Sequence, residues 1–474
     1  MFIGRQMELD FLNTKYNTKG GQLVVLYGRR RIGKTETLRE FCKDKEHVFY
    51  SCRECADEEQ LKSFSIRMLK PDMPLSKYVS SFIDWSQALA AITDLPGKDK
   101  KLLIIDEFPY MVQSNKSIPS ILQNLWDETL QHENVMIVIC GSSMSFIENE
   151  LLAEKNPLYG RATGILKMLE MDFYDAIQFF PNYSYEDKIF AYSILGGVPH
   201  YLKQFDDSKP LGENIKTHIL ARGSILYSEV EFLMRQELRE TSVYNTIIEA
   251  IALGNTKLND IYTKTNIDKS KLSVYIKNLI SLEIIEREFS VASGLKEKAA
   301  SHRGLYGITD NFFSFWYSFV FGNVSELEAG DVEGVYKYAV EPELTRYTSL
   351  KFENICRQYI RKQNISGELP FRFDKMGRYF DNNVEIDIVA ISKDKNKILL
   401  GECKFRNTAF DLREYNALKS KFIDSRATEV YYYLFSRSGF TEDVQVLESE
   451  NIRLVSLEQL FGAVPYVGRT GQTT

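Results

Sequence analysis

An unbroken apolar run, Leu23–Tyr27 (LVVLY), leads directly into Gly28-Arg29-Arg30-Arg31-Ile32-Gly33-Lys34-Thr35, and Lys34–Lys43 carries a helical pattern. A buried strand, a glycine-flanked loop and a helix in immediate succession leave few folds open. Glycines at both ends of the loop let the backbone curl until several N–H groups point inward at an anion. A helix opening near Lys34 adds its positive end. The string G-x-x-x-x-G-K-[ST] therefore reads as a phosphate loop, with Gly28, Arg29, Arg30, Arg31, Ile32 and Gly33 forming the cradle. Lys34 is expected to reach β and γ phosphates, and the Thr35 hydroxyl to ligate Mg²⁺.

Such a loop needs a metal partner after a later buried strand. Lys101–Ile105 (KLLII) supplies the strand, and Asp106-Glu107 emerges at its end. Asp106 is the expected Mg²⁺ partner and Glu107 the general base for an attacking water. Two adjacent acids at this point also suit a cap on the next helix. Val135–Cys140 (VMIVIC) is another buried run and ends in Gly141-Ser142-Ser143. Ser142 is the candidate γ-phosphate sensor. Arg161, in Leu158-Tyr159-Gly160-Arg161, reads either as a finger acting on a neighbouring copy or as a plain surface arginine.

The 474 residues predict more than one domain. Apolar strands spaced by helices over the first 150 residues imply a parallel sheet covered on both faces. Lysine and arginine number 59 against 65 acidic residues, a net charge of −6, so a globally basic nucleic-acid coat is excluded and a local basic patch is not. Six scattered cysteines suit a reducing compartment better than a disulfide framework. The N-terminal MFIGRQMELDFL lacks the apolar core of an export signal. The apolar stretch Phe312–Gly322 falls short of the about 20 residues that span a bilayer. The expectation is a cytoplasmic chain with no membrane partner.

FIGRQMELDFL, GRRRIGKT, LLIIDEFPYM, CGSSMSFIE, PLYGR and GGVPHYL follow one another in that order over about the first 235 residues. Together they resemble the archaeal-type ATPases of the AAA+ and STAND-related superfamily. The resemblance implies an ATP-binding core over residues 1–170, a helical lid over 171–239, and a habit of forming rings or dimers, hence a homo-oligomer. It also implies that the stretch Phe2-Ile3-Gly4-Arg5 contacts the adenine edge and that Pro199 packs near the base. The chain departs from the pattern in offering Arg161 alone where a tandem pair of arginines is usual.

Residues 240–325 carry a second signal. Tyr244, Ile247, Ile248 and Ile251 fall at helical spacing, as do Leu272, Ile276 and Leu279 on a later helix, and two short extended pieces follow. Three helices closed by a β-ribbon suggest a winged helix-turn-helix. Its recognition helix would turn Lys269, Lys271, Ser273 and Lys277 away from the apolar side, toward DNA. A protein-binding module or a solvated face fits the same pattern.

Residues 335–470 read as a further α/β domain. Asp387 lies in one strand, Glu402 and Lys404 share a face of the next, and Glu353 sits on a helix upstream. The spacing D-x₁₄-E-x-K resembles the PD-(D/E)xK nucleases of restriction-endonuclease-like fold, without the proline that names the motif. The resemblance implies Mg²⁺ held by Asp387, Glu402 and Glu353, with Lys404 positioning water or stabilising phosphate charge. A fold that binds without turnover is the alternative. Cys52-x-x-Cys55 has no second pair at finger spacing and reads as ordinary thiols rather than a zinc site. The polar end, Gly468–Thr474, reads as a frayed tail.

Two functions follow: a nucleotide-driven switch on DNA with a nuclease-like domain, or a signalling or scaffold ATPase in which that domain is inert.

Overall fold

The computed structural model describes residues 2–69, 73–96, 99–238, 240–291, 304–381, 383–421 and 427–462. The expected tail at 468–474 and the last residues of the C-terminal domain lie outside them. The chain divides into two compact units. The first is Met1–Met171 together with Val198–His200; the second is Asp172–Gly197 and Tyr201 onward. The segments expected as lid, winged helix and C-terminal domain thus belong to the second unit, apart from Met171 and Val198–His200 of the lid.

The first unit is built on β1 (Gln22–Tyr27), β2 (His47–Ser51), β3 (Lys101–Asp106), β4 (Val135–Gly141) and β5 (Gly164–Lys167). They form one sheet in the order β2-β3-β4-β1-β5, every pair parallel. Side chains alternate along β1: Leu23, Val25 and Tyr27 enter one core, Val24 and Leu26 the other. A strand buried on both faces needs an apolar residue at every position, and LVVLY provides that. Order and direction put the ends of β1, β3 and β4 side by side at the C-terminal edge, where ligands of open α/β sheets bind.

The second unit opens with helices, among them Tyr185–Leu195 and Ile225–Glu237. Helices Thr241–Ala252, Leu258–Thr265 and Lys269–Ser281 follow, then β6 (Ile285–Glu288) paired antiparallel with β7 (Leu305–Ile308). The aromatic run forms the helix Asn311–Phe319, buried on all sides. Trp316 Nε1 donates to the Tyr227 carbonyl at 2.8 Å and the Tyr317 hydroxyl to Asn245 Oδ1 at 2.8 Å, so the rings join neighbouring helices. A second sheet runs β12-β11-β10-β9-β8: β8 (Phe373–Phe380), β9 (Glu385–Ser392), β10 (Lys397–Lys404), β11 (Glu429–Ser436) and β12 (Ile452–Val455). β8, β9 and β10 pair antiparallel; β10, β11 and β12 pair parallel. The helix Leu344–Ser366 packs on β9 and β10. No helix among the described residues is long and apolar enough to cross a membrane.

Candidate nucleotide site and C-terminal acidic cluster

At the end of β1 the backbone turns sharply. Gly28 has φ +151°, and a Cβ there would lie 2.4 Å from the Met168 carbonyl oxygen. Arg31 and Gly33 both take left-handed conformations, φ +69° and +93°. Such alternation turns successive N–H groups to the concave side of a loop. Lys34 opens the following helix, is buried, and curls its ammonium over the loop, donating at 2.8 Å to the carbonyls of Gly28 and Arg29. Burial lowers its pKa, while Cys140, Glu107 and Asp106 act to restore it. Arg29 pairs with Glu170 at 3.2 Å.

The Thr35 hydroxyl donates to Asp106 Oδ2 at 2.8 Å. The hydroxyl and carboxylate expected to share Mg²⁺ therefore already meet, and their hard oxygen donors fit that ion. Glu107 sits at φ +53° and begins the helix Phe108–Ser114. Its Oε2 accepts from the Ser142 hydroxyl at 3.0 Å and the Ser142 N–H at 3.3 Å. Ser142 thus reaches the acid at the end of β3, a partner that sequence did not suggest. The end of β4 can approach so closely because residue 141 is glycine: a Cβ would lie 2.9 Å from Pro109 Cδ. Cys140, buried beside Asp106 and Lys34, has its thiol pushed well up by burial.

Gly4 and Arg5 are both left-handed, φ +64° and +66°. The buried Arg5 guanidinium donates to the Ile32 carbonyl at 2.6 Å, the Leu169 carbonyl at 2.7 Å and Glu8 Oε1 at 2.9 Å. It ties the N-terminal segment to the back of the phosphate loop. Pro199 stands beside the same loop, with its Cγ 3.6 Å from where a Gly33 Cβ would be.

Arg161 is elsewhere. Thr163 N–H bonds the Leu23 carbonyl and Gly164 pairs with Val24, so Arg161 lies at the N-terminal edge of the sheet, opposite the phosphate loop. There it forms a forked pair with Asp127, Nε to Oδ1 at 2.9 Å and Nη2 to Oδ2 at 2.8 Å. It therefore does not reach the nucleotide site of its own chain.

On the helix Lys269–Ser281, Leu272, Ile276 and Leu279 are buried, whereas Lys269, Lys271, Ser273 and Lys277 are exposed. Asp268 caps it, accepting from Ser270 N–H at 2.9 Å. Lys269 lies over the Tyr262 ring at 4.8 Å.

In the second sheet Gly401 pairs with Ile388, so one step further Glu402 faces Asp387 on the same side. Asp387 Oδ2 accepts from the Cys403 N–H at 2.8 Å. Lys404 Nζ donates to Glu402 Oε1 at 2.5 Å, and Lys421 Nζ lies 3.4 Å from Oε2. Burial, then Glu402, raises the Asp387 pKa. Burial, then Asp387, pushes Glu353 up to about 7. Burial acts to lower the Lys404 pKa, but Glu402 outweighs it and the net shift is upward. Arg357, one turn after Glu353, stands 3.8 Å from its carboxylate and donates to the Asp387 carbonyl at 3.2 Å.

The three carboxylates expected to hold Mg²⁺ are each engaged by a neighbouring donor. Among the described residues no group of three or more histidines, cysteines, aspartates and glutamates is placed to hold a metal. Glu402 is engaged by two lysines, one Asp387 oxygen by a backbone N–H, and Glu353 faces Arg357. Sequence missed Lys421 and Arg357. The second was legible as an i, i+4 partner of Glu353. Cys52 and Cys55 are free thiols.

Residues 2–205 match the family described as an ATPase domain predominantly from Archaea, and residues 316–418 match a family of archaeal and bacterial proteins of unknown function. The chain is similar to the uncharacterized protein MJECL04 of Methanocaldococcus jannaschii, 32% identical over 443 residues that cover 92% of this chain and 96% of that one. The chain belongs to the family of this relative, with an archaeal-type ATPase domain over residues 2–205. A likeness of TM-score 0.47 and 19% identity relates 67% of the chain to 96% of the Walker-type ATPase PABY2304 of Pyrococcus abyssi. Another, of TM-score 0.42 and 11% identity, relates 70% of it to 94% of the ORC2 protein of Aeropyrum pernix. Within this chain, the loop around Lys34 belongs to an ATP-binding ATPase domain.

Proposed function

We propose that the chain is an ATP-driven switch that acts on DNA. The observation that carries the ATP half is the meeting of Thr35 with Asp106 and of Glu107 with Ser142 around a loop closed by Lys34. Bound Mg²⁺ would neutralise phosphate charge there, with Thr35 and Asp106 as its holders. Lys34 binds the β and γ phosphates. Glu107 accepts the proton of the attacking water, and Ser142 fixes that carboxylate and links it to β4. In an oligomer Arg161 is the residue offered to a neighbouring copy.

The DNA half rests on the three helices and ribbon of residues 241–308, read as a winged helix. Lys269, Lys271, Ser273 and Lys277 form the exposed face of its third helix. In the C-terminal domain Asp387, Glu402 and Lys404 make a nuclease-like constellation on β9 and β10. One observation favours a second reading, a signalling or scaffold ATPase with an inert C-terminal domain: Glu402 is held between two lysines.

ATP turnover and gel mobility, measured at low salt with and without duplex and single-stranded DNA, test the proposal. DNA is expected to raise turnover in the native chain. If it changes neither turnover nor mobility, the second reading stands. Plasmid nicking with Mg²⁺ is expected to disappear in Asp387→Ala and Lys404→Ala while ATP turnover survives; nicking that persists in both contradicts the site assignment.

A further inference from the structure

At the open edge of the ATPase sheet lies a groove of about 590 Å³. Its floor is the edge strand β2, which among the described residues pairs only with β3 and so leaves a row of backbone N–H and C=O groups without a strand partner there. Burial along β2 alternates: Val48 and Tyr50 are buried, while His47 and Phe49 are half-buried, Phe49 packing in part on the second core, and Ser51 is exposed. Arg39, from the helix after the phosphate loop, forms one wall. Arg53, just past β2, and Arg67, from the helix Asp57–Met68, form the other.

Three features select the ligand. First, three arginines and a histidine line the groove and no carboxylate does, in a chain whose net charge is −6. Second, the three arginines are little engaged. Arg53 donates to the Ser63 hydroxyl at 2.9 Å, and among the described residues Arg39 pairs only with the exposed Glu36 at 3.1 Å and Arg67 has no ion pair. Third, the Arg39 guanidinium lies 6.0 Å from the Phe49 ring centre, which sets an aromatic surface beside the positive rim. Guanidinium forks match phosphate oxygens, and a basic groove with an aromatic flank is how single strands are held without sequence preference. The volume suits a segment of nucleotide size.

We infer that this groove binds the backbone of a single-stranded polynucleotide through Arg39, Arg53 and Arg67, as a contact separate from the Lys269–Ser281 helix. The inference rests on the DNA reading above and gives the ATPase unit its own hold on the strand. ATP turnover can then respond to a strand bound on the same unit.

The test is fluorescence anisotropy with a labelled 20-nucleotide oligothymidine across a salt series, on the full chain. The variants are the triple substitution Arg39→Ala, Arg53→Ala, Arg67→Ala and, separately, Lys269→Ala, Lys271→Ala, Lys277→Ala. All six side chains are exposed, and ATP turnover without DNA serves as the folding control. The arginine variant is expected to bind the strand at least tenfold more weakly, with a log–log salt slope shallower by about 2, since each lost phosphate contact on a single strand removes about 0.7. The lysine variant is expected to keep the groove contact. If the native chain binds the strand and the arginine variant binds it equally, the groove is not the site, although the DNA reading survives. Binding of duplex alone, or competition by free AMP as strong as by the oligonucleotide, also overturns the inference. If the native chain binds no nucleic acid, both the inference and the DNA reading fall.

Discussion

Glu107 holds a left-handed backbone, φ +53°, which side chains other than glycine adopt reluctantly. The strain, of order 1–3 kcal/mol, persists where surrounding contacts fix it. Here the Ser142 hydroxyl and N–H hold the carboxylate. Glu107→Gln keeps the shape and removes the base, so it should bind ATP and lose at least a hundredfold in kcat, read by a coupled turnover assay. Ser142→Ala frees the carboxylate and should lower kcat by about tenfold with KM little changed. At the other end of the chain, burial and Asp387 push the Glu353 carboxyl up to about 7. A raised carboxyl pKa supports folding while the group is protonated: the contribution is full below the ordinary carboxylate range and is lost as pH rises through about 7. The unfolding transition of the second unit should therefore fall in temperature between pH 5 and pH 8. Glu353→Gln should flatten that fall, as scanning calorimetry can read.

The phosphate loop works as an element because glycine stands where the chain passes closest to itself. A Cβ on Gly28 would overlap the Met168 carbonyl at 2.4 Å, so Gly28→Ala should displace the loop and abolish retention on an ATP resin. The helix Asn311–Phe319 is held by aromatic packing instead. Phe313, 1% exposed, leaves a large cavity when truncated, and Phe313→Ala should cost about 3–5 kcal/mol in urea unfolding. Sequence disclosed these elements unevenly. β1, β3 and β4 were legible because doubly buried parallel strands must be apolar nearly throughout. β5 and β8 were not: GILK is a short edge strand, and FDKMGRYF sets charged residues among its apolar ones. The helix Leu344–Ser366 was visible only around Phe352–Ile360, since charged residues dilute its ends. At the ATP site, Lys34, Thr35, Asp106 and Glu107 announced themselves by spacing. The Arg5 links to Ile32 and Leu169 did not, because no local pattern encodes contacts between residues 27 and 164 apart.

Taken whole, the chain joins an ATPase domain at residues 2–205 to a second unit that carries an exposed lysine face and a buried acidic cluster. ATP can switch the molecule only if its two states differ in affinity for the nucleotide. That makes nucleotide capture by the glycine-bounded loop the premise of every other statement. Isothermal titration of the purified chain with ATP and Mg²⁺ tests it most directly, run beside Lys34→Ala. The account predicts saturable heat at one site per chain for the native protein and none for the variant. Equal heats from the two proteins, or no heat from either, would contradict it.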